Sequence, residues 1–73
     1  MRGRAAVEKD LRVQMAIASD LKAALQATPN NTALNNAFSS QLDLLESFTK
    51  PEREYSEMAT QLLLPFLANL KTP

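Results

Sequence analysis

Residues 7–25 read VEKDLRVQMAIASDLKAAL, and this stretch decides the fold class. Its apolar side chains fall at Val7, Leu11, Met15, Ala18, Leu21 and Leu25. Intervals of three and four residues gather on one face of an α-helix, whereas a half-buried strand would need strict alternation. Val13 and Ile17 widen the stripe on the Leu21 side, to an arc of roughly 200° on a helical wheel. A helix packed on a single neighbour needs only about 100°. The arc therefore predicts two neighbours, within the fold or in another chain. Ala5-Ala6 and Ala23-Ala24 favour the same state intrinsically, and the helix is expected over about 4–27.

C-terminal to this segment, Thr28-Pro29-Asn30-Asn31 is a strong turn signal. A second helix is expected over about 32–48, with Asn30, Asn31 or Thr32 supplying an N-cap oxygen. Leu34, Phe38, Leu42, Leu45 and Phe48 form its stripe, with Ala37 and Leu44 on the flank. Asn35-Asn36 and Ser39-Ser40 are poor helix formers because their side chains compete for backbone groups, so this helix depends on packing. Next, Thr49-Lys50-Pro51-Glu52 fits a capping box, with Thr49 at N-cap and Glu52 at N3. A third helix is expected over about 50–70. Pro65 removes an interior amide donor and clashes with the carbonyl of Gln61, which predicts a kink or break near that residue.

Short connections make consecutive helices antiparallel neighbours. The chain is thus expected to be one all-α domain over 1–73. A small three-helix bundle is the first choice. A helical hairpin with a proline-kinked third helix packed on another chain is the runner-up.

Composition narrows the chemistry. The 73 residues contain no cysteine, histidine or tryptophan, and a single glycine, Gly3. A disulfide framework, a thiol nucleophile and the usual Cys/His metal sites are excluded, and the commonest general base is missing. A phosphate-cradling loop needs several glycines. Glu52, Glu54 and Glu57 lie close in sequence, but nothing suggests the burial that tunes a carboxylate for catalysis. No catalytic, cofactor or metal residue is assigned, and an enzyme is the least expected class.

Eight basic and eight acidic residues balance to zero. They are unevenly placed: Arg2, Arg4, Lys9 and Arg12 sit at the N-terminus, and Asp43, Glu46, Glu52, Glu54 and Glu57 in the second half. A recognition helix needs outward cations, but the second segment has none and the third is acidic, so nucleic-acid binding is the weaker alternative. The apolar run 62–68 is too short to span a bilayer, and acidic Glu54 and Glu57 oppose a membrane-surface role. No targeting segment stands out, and a cytoplasmic location is the default expectation.

What remains is an excess of apolar surface. In Leu62-Leu63-Leu64-Pro65-Phe66-Leu67, consecutive leucines cannot all face one core, and Leu70 and Met58 lie along the same segment. Val13 and Ile17 form a second candidate patch. Exposed contiguous apolar surface marks interaction sites. These residues predict a non-enzymatic protein–protein interaction module: a small subunit, adaptor or chaperone-like partner that docks an apolar helical face on another helical protein. A self-assembling homo-oligomer would use the same surfaces.

Overall fold

The computed structural model describes residues 2–72. Three helices follow in chain order: α1 (Arg4–Ala27), α2 (Thr32–Ser47) and α3 (Ser56–Leu70). The all-α three-helix bundle is the observed architecture, and α3 packs on its own chain rather than awaiting another.

α1 is the spine. Its 24 residues span about 36 Å at 1.5 Å per residue, nearly the full 40 Å long axis of the molecule. The broad arc on α1 does meet two neighbours. It packs extensively on α2 and more sparsely on α3, whereas α2 and α3 barely touch each other. The shared core runs between them, from Val7, Leu11 and Ala18 through Leu45 and Phe48 to Met58, Ala59, Leu63 and Leu70. Leu11, Leu45 and Leu63 are completely buried. The radius of gyration is 13.0 Å, against about 11 Å for a compact chain of this length. The accessible surface is 4876 Å², against about 4,500 Å² expected from mass. The long spine and the splay of the other two helices account for both excesses.

The first connection is held by side chains. Thr28 donates both its amide and its hydroxyl to the Ala24 carbonyl, each at 3.0 Å, closing α1. Asn31 is the N-cap of α2, its Oδ1 accepting from the Leu34 amide at 3.0 Å. Asn35 then donates its side-chain amide to the carbonyls of Pro29 and Asn31, clamping the turn from inside the helix. Across the two helices, Gln41 Nε2 donates to the carbonyl and the Oε1 of Gln14, both at 2.9 Å.

The second connection departs from the sequence expectation. α3 begins at Ser56, not near residue 50, and the Thr49–Glu52 capping box does not form. Thr49 turns backwards instead: its amide and hydroxyl both donate to the Glu46 carbonyl, at 3.0 and 2.7 Å, so it belongs to the end of α2. Phe48 is buried, and Arg53 lies over its ring at 4.8 Å. Residues 49–55 therefore wrap the end of α2 before α3 can start. Tyr55 completes the reversal in the left-handed region at φ 60°, a backbone state costly for a bulky residue. Its half-buried ring packs on the core, and its hydroxyl donates to the Arg2 carbonyl at 3.3 Å.

At Pro65 the helix is not interrupted. α3 runs from Ser56 to Leu70 in one piece with Pro65 inside it, so the break does not occur. Both Pro65 and Gln61 are exposed. The Gln61 carbonyl, deprived of its helical donor, can turn to water, which relieves the cost of the missing bond. Helical phase is kept past the proline, and this returns Leu70 to the core.

The C-terminal end of α3 is fastened by α1. Lys22 Nζ donates to the carbonyls of Leu70, of Thr72 at 2.7 Å and of Asn69 at 3.5 Å. Terminal helix carbonyls lack intrahelical donors and carry the negative end of the macrodipole, so an ammonium group there is favourable. Lys22→Met keeps the aliphatic stem and removes the donors. It is expected to cost about 1–2 kcal/mol, the scale of a partly buried cation at a helix C-terminus, seen as a lower thermal midpoint with unchanged helicity at low temperature.

Candidate interaction surface

Because α2 and α3 lean on α1 and not on each other, an open groove of about 820 Å³ lies between them. Asp43, Glu46 and Ser47 form its α2 wall, and Leu64, Leu67 and Ala68 its α3 wall. The wholly buried Leu63 lies beneath. Towards the start of α3 the opening continues as a second trough, bordered by Glu57, Thr60 and Gln61 and sharing Thr49 with the first. One side of α3 is thus uncovered from its first turn to its last.

The helix phase explains which leucines reach this groove. At 100° per residue, Leu63 points to the core, Leu67 sits 40° to one side of it and Leu64 a full 100° to the same side. Leu63 is accordingly 0% exposed, Leu67 half-buried and Leu64 63% exposed, the most open large apolar side chain described. Leu62 and Phe66 turn to the other side and pack half-buried against the core. Met58 and Leu70 are buried core residues.

The residues expected to form an interface therefore separate into three groups. Met58, Leu63 and Leu70 are committed to the chain's own core. Leu62, Phe66 and Leu67 divide their surface between core and solvent. Leu64, Val13 and Ile17 are exposed, the last two by 49% and 39%. Val13 and Ile17 lie on a different face, on the outer side of α1 beyond the Gln14–Gln41 contact. By helical phase Leu44, 42% exposed, lies on the corresponding side of α2. Sequence reasoning did not single out Leu44, Ala68, Asp43, Glu46 or Lys71. Leu44 sat on the flank of the α2 stripe, which was the available signal; the groove residues needed the splay of α2 from α3.

Among the described residues no polar or charged side chain is buried, and no three His, Cys, Asp or Glu side chains gather as a metal site. No described helix is long and apolar enough to cross a membrane. Among the described residues two ion pairs form, Arg2–Asp10 at 3.3 Å and Glu8–Arg12 at 3.1 Å, both between solvent-accessible partners near the start of α1; such pairs contribute little stability. Compared with known protein families, with curated proteins and with solved structures, the chain matches none.

Proposed function

We propose that the chain is a non-enzymatic protein–protein interaction module that receives an apolar helical segment along the α2–α3 groove. The observation that carries this reading is Leu64. It stands 63% exposed in the middle of α3, beside Leu67 and Ala68, over an opening of about 820 Å³. Helix-in-groove recognition needs such an apolar floor with a polar rim, and Asp43, Glu46 and Lys50 supply the rim. Adaptor, subunit and chaperone-like roles all follow from one docking face, which is the level at which the proposal is made. Cytoplasmic residence belongs to the same reading, since a chain without cysteine needs no oxidising compartment to fold.

Position-specific photocrosslinking tests it. A benzophenone side chain is placed at Ala68 in the groove, or at exposed Asp20 on α1, in the full chain in cells. The expected result is a discrete adduct from position 68, absent from position 20 and lost on Leu64→Glu. Adducts that are equal at both positions, or indifferent to Leu64→Glu, would remove the groove as the docking face.

A further inference from the structure

We infer that the segment received by the groove is α3 of a second copy of this chain, paired antiparallel about a two-fold axis through Leu64. This rests on the docking face just proposed and names its occupant.

The argument begins with spacing. Glu57 lies seven residues before Leu64, and Lys71 seven residues after it. Seven residues advance an α-helix by 700°, so these three side chains fall within about 20° of one another per step and form one stripe along the open side of α3. A two-fold axis at Leu64 reverses the second helix. It sets Leu64 against its own copy, Glu57 against the partner copy's lysine, and Lys71 against the partner copy's glutamate. An isologous contact must be self-complementary in this way, each residue meeting the image of its complement. The stripe satisfies that requirement with one apolar contact on the axis and two symmetric ion pairs at the ends.

The flanks agree with the same register. Thr60 would lie across from Ala68 of the second copy and Gln61 across from Leu67, small or flexible neighbours that permit close approach. Among the described residues neither Glu57 nor Lys71 has an ion-pair partner within the chain. A parallel pairing of the same stripe would put glutamate on glutamate and lysine on lysine, and the like charges would disfavour it. Charge therefore selects both the orientation and the register. The slow 20° drift of the stripe is that of a left-handed helix pair crossing at a shallow angle, which lets the second α3 settle between α3 and α2.

Light scattering with size-exclusion chromatography on the full chain tests this, with far-ultraviolet circular dichroism on each sample. The expected mass is twice the 8.1 kDa of the chain, falling to the single mass on Leu64→Glu with helicity retained. Glu57→Lys and Lys71→Glu each create two like-charge contacts and are expected to weaken the dimer about tenfold. The combination Glu57→Lys with Lys71→Glu restores complementarity and recovers the wild-type dissociation constant. A monomer at every concentration overturns the inference, as does a dimer that survives Leu64→Glu. A dimer that the charge exchange fails to rescue overturns it too. The crosslink at position 68 separates the two levels. A monomer that still yields a groove adduct of another mass overturns the second copy and keeps the docking face; a monomer with no adduct overturns both.

Discussion

Leu63→Asp is expected to leave no folded population, whereas Leu64→Asp, one residue along, is expected to fold normally. Leu63 is 0% exposed and joins the core that all three helices share. Truncating such a leucine already costs about 2–5 kcal/mol, and a carboxylate buried without a partner adds several more. A domain of this length has about 4–11 kcal/mol in total at typical values per residue. The substitution therefore consumes the whole margin. Leu64 is mostly in water, so its aspartate stays hydrated. Circular dichroism of the two variants side by side gives the result: coil for the first, native helicity for the second. A helical, cooperatively melting Leu63→Asp chain would mean that α3 does not pack as described.

Leu45→Ala is the second large effect. Leu45 is the only residue within α2 that is fully buried, and Phe48 at its C-cap is the one other core anchor of that arm. Removing the leucine leaves a cavity against α1 and is expected to cost about 2–5 kcal/mol in urea unfolding. Phe38→Ala serves as the internal comparison. Its ring is only half-buried, and its loss is expected to fall below that of Leu45. The order matters more than either value, since the sequence periodicity alone ranks the two equally. A larger loss at Phe38 would place the centre of the α1–α2 contact nearer the first turn.

The comparison with the sequence reading follows from what each signal physically records. Periodicity records burial averaged over a face, so the stripes of α1 and α2 and their bounds were legible from the leucine spacing. Capping signatures are local and ambiguous. Thr49 has a hydroxyl able to start a helix or to finish one, and burial of Phe48 beside it decided for the latter. The left-handed Tyr55 follows from the need to bring its ring to the core, which no propensity encodes. Pro65 was legible as a missing donor but not as a tolerated one, because tolerance depends on Gln61 and Pro65 lying on the exposed side of α3. The Lys22 fastening joins residues 47 to 50 positions apart, and only the folded topology brings them together. By helical phase alone Leu64 falls away from Leu62 and Phe66, and the structure leaves it exposed. Sorting Leu70 into the core required knowing that the helix continues past the proline.

The hub arrangement of the helices has a consequence for how the molecule opens. Since α2 and α3 each rest on α1 with little mutual contact, detaching one need not disturb the packing surface of the other. Local opening of either arm is therefore expected to precede global unfolding, to which the core shared by all three helices couples it. The α3 unit carries more of the fully apolar residues per turn, yet contacts the spine less. A second body wedged between the two arms would brace both at once, so occupancy of that space would slow the local opening of both arms together.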